Sequence, residues 1–269
     1  MSLGTMLFEY ALVLVGVLAC AYLLLFLFSI FGTPRLLFPV PKCSYEDRGD
    51  IFKLVSPGGT EISAVYLDNP SAKHTLLYFH GNAEDLGHCR DNFSQLGSKA
   101  GFKVLAFDYP GYGTSGGRPS EKSLVEASET AFQWLLKEKN LQPSDIVLYG
   151  RSLGGGPASE MALRHPVAGL VLEQAFTSVF RVFTQVSILP WDLFTNLDKV
   201  GRIHCPLFIL HGKADSTIPF SHAKALYARA KEPKIQLWVD YAQHGNSLLQ
   251  KAGTKYWECL GAFKAKLSP

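Results

Sequence analysis

The sequence has few charged residues, and it lacks the patterns of several protein classes. Only 18% of its 269 residues are charged, the net charge is +3, and no stripe of basic residues supports nucleic-acid binding. A Gly-x-Gly-x-x-Gly loop opening the first helix is absent, which disfavours a dinucleotide-dependent oxidoreductase. The five cysteines show neither metal-ligand spacing nor a disulfide framework. They are Cys20, Cys43, Cys89, Cys205 and Cys259.

Charge is scarcest at the amino terminus, where residues 1–34 contain only Glu9. Residues 10–31 form an uncharged apolar run, and a helix of that length spans about 33 Å, enough for a hydrocarbon core of about 30 Å. We therefore predict a membrane anchor in residues 1–34 with its helix at about 10–31. A cleaved signal peptide is the alternative, but no basic residue precedes the run and no small-x-small cleavage site follows it.

Two features of the sequence point to opposite sides of the membrane. Arg35, Lys42 and Arg48 follow the apolar run, and positive residues favour the cytoplasmic side. Asn92-Phe93-Ser94 matches the acceptor pattern for N-glycosylation, which requires the lumenal or external side. Because such tripeptides often arise by chance, we expect the part of the chain after the apolar run to be cytoplasmic.

The rest of the chain is predicted to be a short linker followed by one domain. Pro34, Pro39 and Pro41 restrict their own and the preceding backbone conformations, so residues 35–50 are predicted to be extended. In residues 51–269, short β-branched and aromatic runs alternate with helix-length segments. That alternation is typical of parallel βαβ units.

The predicted fold class is α/β, with about eight strands in one mostly parallel, doubly wound sheet. The first two strands flank Pro57-Gly58-Gly59 and are expected to form an antiparallel hairpin, while the other six are apolar enough to be buried on both faces. The predicted strands cover residues 51–56, 61–67, 75–79, 103–107, 145–149, 169–172, 206–210 and 235–239, and the predicted helices cover residues 84–99, 120–139, 154–165, 221–231 and 245–266.

Ser152 is the strongest candidate for a reactive residue. It lies in Gly150-Arg151-Ser152-Leu153-Gly154, which follows a predicted strand and opens a glycine-rich helix. This strand-turn-helix context is that of a nucleophile elbow, where the flanking glycines leave room for a sharp turn. A serine hydroxyl needs a general base, and the base needs a partner that holds its tautomer.

Two later loops supply that base and its partner at the same edge of the sheet. His211-Gly212-Lys213-Ala214-Asp215 follows one strand and places Asp215 as the candidate acid. His244 is the one histidine that both lies after the serine and the acid and follows the last strand, so it is the candidate base. Glu173, at the end of strand 169–172, is the alternative acid.

Acyl transfer also needs hydrogen-bond donors for the oxyanion that forms when serine attacks. One candidate is the backbone N–H of Leu153, the residue after the serine. The second candidate is the backbone N–H of Asn82, in the turn 80–83 that follows an early central strand.

Five ordered motifs resemble those of the α/β-hydrolase superfamily, in particular its membrane-anchored serine hydrolases of the α/β-hydrolase-domain and depalmitoylase-like group. The motifs lie at residues 80–83, 108–116, 150–154, 211–215 and 243–246. The resemblance implies the α/β-hydrolase fold, the triad Ser152, Asp215 and His244, and an oxyanion site at Asn82 and Leu153. At its front the chain has a hydrophobic helix with one cysteine, where palmitoyl-protein depalmitoylases have a cluster of lipidated cysteines.

The segment between strands 169–172 and 206–210 bears on the substrate. Its length of about thirty residues is too short for a large helical lid, so we predict a minimal one. Its apolar side chains either pack on the sheet or form an acyl-binding wall, and Phe180, Phe183 and Trp191 are our candidates for such a wall. The full apolar set is Phe176, Val179, Phe180, Val182, Phe183, Val186, Ile188, Leu189 and Trp191.

Together these patterns predict a serine hydrolase that cleaves carboxylic ester or thioester bonds of acyl or lipid-like substrates through an acyl-enzyme on Ser152. Neither a metal nor an organic cofactor is required for this chemistry. The expected partners are a small-molecule or lipid substrate and a membrane, and the oligomeric state is open. A peptidase of the prolyl-peptidase type with the same triad and an inactive membrane-bound interaction protein are the alternatives.

Overall fold

The computed structural model describes residues 3–32, 37–47, 49–184 and 188–267. The chain divides into two compact units, Met1–Pro39 and Val40–Pro269. The anchor, linker and domain boundaries at residues 34 and 50 remain predictions. Pro34, Arg35 and Arg48, which entered the linker and orientation arguments, lie outside the described residues, as does Val186 of the apolar stripe.

The first unit contains one long helix, α1, at Leu3–Phe31. It begins seven residues before the predicted start, because residues 3–9 contain no proline that would end a helix. Residues Leu3–Ile30 have a mean hydropathy of 2.8 over an 18-residue window and are long and apolar enough to cross a membrane. A signal sequence near the amino terminus satisfies the same criterion of length and composition.

The second unit is built on one eight-stranded sheet in the order β1-β2-β4-β3-β5-β6-β7-β8. β1 pairs antiparallel with β2, as predicted, and β2 also pairs antiparallel with β4. All other neighbours are parallel, so the predicted sheet of about eight mostly parallel strands is confirmed. The strands are β1 Ile51–Val55, β2 Glu61–Leu67, β3 Thr75–Phe79, β4 Lys103–Phe107, β5 Ile146–Arg151, β6 Gly169–Glu173, β7 Leu207–Gly212 and β8 Lys234–Val239.

Helices pack on the sheet between the strands. The predicted helix 245–266 is in fact two helices, because the backbone at Gly253 has φ of +55°, which a continuing helix does not allow. Two short helices between β6 and β7, α5 and α6, were not predicted. The helices of this unit are α2 Leu86–Ser98, α3 Glu121–Glu138, α4 Gly155–Arg164, α5 Val179–Thr184, α6 Asn196–Val200, α7 Phe220–Arg229, α8 Ser247–Ala252 and α9 Thr254–Lys264.

The core follows from the apolar runs of the central strands. Every residue of β3, β5, β6 and β7 is buried, as expected of parallel strands covered on both faces. In the register of this sheet, Arg151 at the end of β5 lies beside Glu173 at the end of β6. The loops that follow these parallel strands therefore leave the sheet at one edge, where ligands bind in such folds.

Residues 44–47 of the predicted linker are hydrogen-bonded to the rest of the second unit. The Ser44 N–H donates to Asp85 Oδ2 at 2.7 Å, and the Tyr45 hydroxyl donates to Asp108 Oδ2 at 2.6 Å. Glycine permits the second approach, because a Cβ atom on Gly113 would lie 2.5 Å from the Tyr45 hydroxyl oxygen. This segment is thus part of the packed unit.

Candidate active site

Ser152 lies in a tight turn between β5 and α4. Its backbone φ is +51°, a left-handed conformation that is uncommon for a residue with a side chain. A Cβ atom on Gly150 would lie 2.6 Å from the Gly154 carbonyl oxygen, and one on Gly154 would lie 2.2 Å from the Phe79 carbonyl oxygen. Both positions therefore exclude a side chain, and the turn holds Ser152 at the edge of the sheet.

The structure brings Ser152, His244 and Asp215 together in one hydrogen-bonded chain. Ser152 Oγ lies 3.0 Å from His244 Nε2. His244 Nδ1 lies 2.7 Å from Asp215 Oδ2. The ring of His244 is 24% exposed, whereas the Asp215 carboxylate is buried, so the chain runs from the molecular surface into the protein. With Nδ1 protonated toward the carboxylate, Nε2 is left to accept the serine proton.

Asp215 is held in place by backbone donors. Its Oδ1 accepts hydrogen bonds from the N–H groups of Thr217 and Ile218, at 2.9 and 2.8 Å. Burial alone would raise the pKa of Asp215, but the hydrogen bond and charge of His244 and the Ile218 N–H bring it below the ordinary value. Asp215 is therefore ionised at neutral pH, and its carboxylate faces His244 Nδ1.

Glu173, the alternative acid, has other partners. Its Oε2 accepts a hydrogen bond from the Tyr149 hydroxyl, and its Oε1 lies 3.6 Å from Arg151 Nε. Burial raises the pKa of Glu173, although the Arg151 charge opposes the shift. The geometry thus gives the imidazole Nδ1 to Asp215 and leaves Glu173 in an ion pair.

The turn 80–83 lies beside the serine. A Cβ atom on Gly81 would lie 3.6 Å from Ser152 Cβ. The turn is held by the Glu84 carboxylate, which accepts the Gly81 N–H at 2.9 Å, and by the Tyr112 hydroxyl, which donates to Asn82 Oδ1 at 2.8 Å. The roles of the Asn82 and Leu153 N–H groups as oxyanion donors remain predictions.

Arg151, the residue before the serine, joins three parts of this site, a role that was not predicted from the sequence. Its guanidinium is buried, pairs with Glu84 Oε1, and donates to Asn246 Oδ1 at 2.8 Å. Burial opposes its charge, but Tyr78, Glu173 and Glu84 raise the pKa of Arg151 above its usual range. One buried cation is therefore shared by the turn at residues 80–84, the turn at Ser152 and the His244 loop. Its position inside the elbow motif was the available sequence signal.

Gln174 was also missed. Its amide nitrogen donates to the Gln243 carbonyl oxygen at 2.8 Å and lies 3.3 Å from Asp215 Oδ2, and its amide oxygen accepts the Gly245 N–H at 2.8 Å. The residue follows directly on β6, at the edge of the sheet where Ser152 lies. That position was the one sequence signal that could have drawn attention to it.

Two further histidines are buried near the site. His211 Nε2 donates to the Ile218 carbonyl oxygen at 2.8 Å, and burial lowers the pKa of His211. Burial lowers the pKa of His80 to about 4, and its Nδ1 donates to the Gly81 carbonyl oxygen at 2.8 Å. Both rings are therefore neutral at pH 7 and donate hydrogen bonds to loop carbonyl oxygens.

The candidate substrate-binding side chains differ in their surroundings. Phe180 and Trp191 pack edge to face with ring centroids 4.9 Å apart, whereas Phe183 is 83% exposed. Trp191 lines a cavity of about 310 Å³ together with Arg181 and Asp192. A second cavity, of about 570 Å³, lies between β1 and α3 and is lined by none of the predicted site residues. The assignment of an acyl-binding wall stays a prediction.

The part of the chain that the structure describes contains no evident set of metal ligands. Over residues 3–32, 37–47, 49–184 and 188–267, no group of three or more His, Cys, Asp and Glu side chains is arranged to hold an ion. All five cysteines are free thiols.

Three features together define the class of α/β folds that carry a hydrolase-type site. They are the sheet order, the left-handed backbone conformation of Ser152, and the hydrogen-bonded chain of Ser152, His244 and Asp215. Residues 74–200 match the family model of the alpha/beta hydrolase fold. The chain is 36% identical over 204 residues to human alpha/beta hydrolase domain-containing protein 17B, covering 75% of this chain and 71% of that protein. The chain belongs to the α/β-hydrolase family, and its fold and relatives identify it as a hydrolase.

Further comparisons agree on the family and the fold. Mouse alpha/beta hydrolase domain-containing protein 17C is 37% identical over 179 residues, which cover 66% of this chain and 56% of that protein. The Pyrococcus furiosus esterase Pf2001 superimposes with a TM-score of 0.69 at 18% identity, over 85% of this chain and 99% of the esterase. At that identity the likeness supports the fold alone.

Proposed function

We propose that the protein is a membrane-anchored serine hydrolase that cleaves carboxylic ester or thioester bonds of acyl or lipid-like substrates. The observation that carries the proposal is the hydrogen-bonded chain from Ser152 Oγ through His244 to Asp215, with distances of 3.0 and 2.7 Å. A serine, a base within hydrogen-bond reach and a carboxylate that orients the base are the arrangement that nucleophilic catalysis by serine requires.

The first half of the reaction forms an acyl-enzyme. His244 Nε2 takes the proton of the Ser152 hydroxyl while Oγ forms a bond to the substrate carbonyl carbon, whose oxygen becomes an oxyanion. The N–H groups of Leu153 and Asn82 donate to that oxyanion. When the tetrahedral intermediate collapses, the bond to the alcohol or thiol breaks, and His244 returns its proton to the leaving group.

The second half of the reaction releases the acid. His244 takes a proton from water, whose oxygen bonds to the acyl carbon, and the ester bond to Ser152 Oγ then breaks as Oγ regains the proton. Asp215 remains ionised throughout and stabilises the imidazolium, in keeping with the direction of its pKa shift. No metal or organic cofactor takes part in these steps.

The proposed substrate class rests on the amino-terminal helix and on the covering segment. Residues Leu3–Ile30 are apolar and long enough to span a bilayer, so the domain acts next to lipid. Between β6 and β7, the described residues 174–184 and 188–206 contain two short helices, α5 and α6, and no large helical lid. A minimally covered site beside a membrane is suited to acyl esters or thioesters presented by the bilayer. The catalytic domain is proposed to be cytoplasmic.

Labelling of the full-length protein in detergent with a fluorophosphonate probe tests the proposal. We expect stoichiometric labelling of the wild type and loss of labelling in Ser152→Ala and His244→Ala. Ser98→Ala and His204→Ala are matched controls, since both side chains are exposed, and they should label like the wild type.

Turnover assays then separate the possible substrates. Hydrolysis of p-nitrophenyl esters of increasing chain length, with acyl thioesters and proline-containing peptides as competitors, ranks the bond types. Preferred cleavage of a peptide would replace the esterase with a peptidase, and a folded wild type that neither labels nor turns over would refute the catalytic proposal.

A further inference from the structure

We propose that Gln174 is a positioning residue that fixes the His244 loop and the Asp215 carboxylate relative to each other, a role that rests on the proposed function of this site. Gln174 follows directly on β6, and its side chain is completely buried. Its side-chain hydrogen bonds reach the His244 loop and Asp215, so it acts through the base and the acid.

The amide of Gln174 holds the backbone on both sides of His244. Its nitrogen donates to the Gln243 carbonyl oxygen at 2.8 Å, and its oxygen accepts the Gly245 N–H at 2.8 Å. These two peptide groups belong to the residues immediately before and after His244. One side chain therefore fixes where the loop places the imidazole.

The same amide reaches the acid. Gln174 Nε2 lies 3.3 Å from Asp215 Oδ2, the oxygen that also receives His244 Nδ1 at 2.7 Å. The loops after β7 and β8 are thus tied to each other by a group that projects from the end of β6. An error in this tie would misdirect Nε2 and lengthen its contact with Ser152 Oγ.

Carboxamide chemistry explains why glutamine suits this position. The two N–H bonds of the amide serve two acceptors, and its oxygen serves one donor, so three hydrogen bonds match three partners. Glutamate could accept from Gly245 but could not donate when ionised, and methionine could do neither.

The backbone of Gln174 is attached to the sheet. Its N–H donates to the Leu210 carbonyl oxygen of β7 at 2.9 Å, which extends the β6–β7 pairing. Its φ is +49°, in the left-handed region. The residue is thus attached to the sheet by its main chain while its side chain turns toward the His244 loop.

Two variants separate the effect of the three side-chain hydrogen bonds of Gln174 from the effect of its backbone conformation. Gln174→Met keeps the length of the side chain and removes its three hydrogen bonds. Gln174→Asn suits a left-handed backbone better than most residues, but it is one methylene too short to contact both flanks of His244. Gln236→Met is the matched control, because Gln236 lies exposed in β8.

We measure the rate of acylation and the substrate dissociation constant in single turnovers of the full chain with a p-nitrophenyl ester. Both Gln174 variants should acylate about 10- to 100-fold more slowly, as expected for a small misplacement of a catalytic base, with dissociation constants within about twofold of the wild type. The control should be unchanged. Thermal unfolding establishes that each variant is folded.

A proton resonance reports on the hydrogen bond between His244 and Asp215 independently of turnover. The proton between His244 Nδ1 and Asp215 gives a low-field resonance, which we expect in the wild type and in Gln236→Met but broadened or lost in both Gln174 variants. Wild-type acylation and an intact resonance in folded Gln174→Asn and Gln174→Met overturn the positioning role. Absence of acylation in the wild type refutes the proposed function instead, and the resonance then decides whether Gln174 orders the ring.

Discussion

Replacement of Arg151 by methionine tests whether the buried charge cluster holds the site together. The guanidinium is only 5% exposed and pairs with Glu84 and Glu173, whose side chains are 21% and 10% exposed. Arg151→Met leaves these two carboxylates without their cation. Breaking a buried ion pair by removing one partner costs about 3 to 5 kcal/mol.

The assay is thermal unfolding of the full-length protein in detergent. One kcal/mol shifts the melting temperature of a domain of this size by roughly 2 to 4 °C, so we expect a decrease of roughly 6 to 20 °C. Arg118→Met is the matched control, because Arg118 is exposed, and it should change the stability by less than about 0.5 kcal/mol.

A neutral replacement of the whole cluster separates lost charge from lost packing. The triple variant Arg151→Met, Glu84→Gln, Glu173→Gln has no uncompensated charge and should recover most of the stability lost in Arg151→Met. A melting temperature lowered by less than about 2 °C in Arg151→Met, or a triple variant less stable than Arg151→Met, would show that the buried charges do not hold the site together.

Three further predictions follow from close contacts and buried groups. Gly150→Ala places a Cβ atom 2.6 Å from the Gly154 carbonyl oxygen and should cost about 3 kcal/mol in denaturant unfolding, whereas Gly261→Ala in α9, with open space around it, should gain about 0.5 to 1 kcal/mol. Burial raises the pKa of Asp108 to about 8, whereas the unfolded chain releases this proton above about pH 4. Because the folded protein retains the proton, the stability that the protonated carboxyl contributes is full below about pH 4 and is lost as the pH rises through 8. The melting temperature should therefore fall less from pH 6 to pH 9 in Asp108→Asn than in the wild type. An equal fall in the two proteins would contradict this. Tyr45→Phe removes the 2.6 Å hydrogen bond to Asp108 and should cost about 1 to 2 kcal/mol in thermal unfolding, and a melting temperature equal to that of the wild type would contradict it.

The sheet was predictable because its signal is local. Each central strand is a short apolar run between turn residues, and the predicted and observed bounds of β2, β3 and β4 are identical. The break at Gly253 was not predictable, because glycine within a helical pattern does not reveal its φ. The short helices α5 and α6 lack the length that makes helical periodicity visible.

The motif residues of the site were predictable for a related reason. Ser152, Asp215 and His244 each follow a strand, and parallel strands deliver such loops to one edge of the sheet. The supporting residues were not, since the partners of Arg151 and Gln174 are distant in sequence: Arg151 bonds to Asn246, and Gln174 bonds to Gly245. Such pairings are decided by packing rather than by any local pattern.

The most direct test of the central claim is to identify the residue that becomes acylated. The full-length protein is mixed with a slowly hydrolysed p-nitrophenyl ester, quenched in acid during the first turnover, digested, and analysed by mass spectrometry. Acylation of Ser152 should give a burst of about one p-nitrophenol per protein and an acyl group on the peptide containing Ser152, both absent in Ser152→Ala. Turnover without an adduct, or an adduct on another residue that persists in Ser152→Ala, would contradict it.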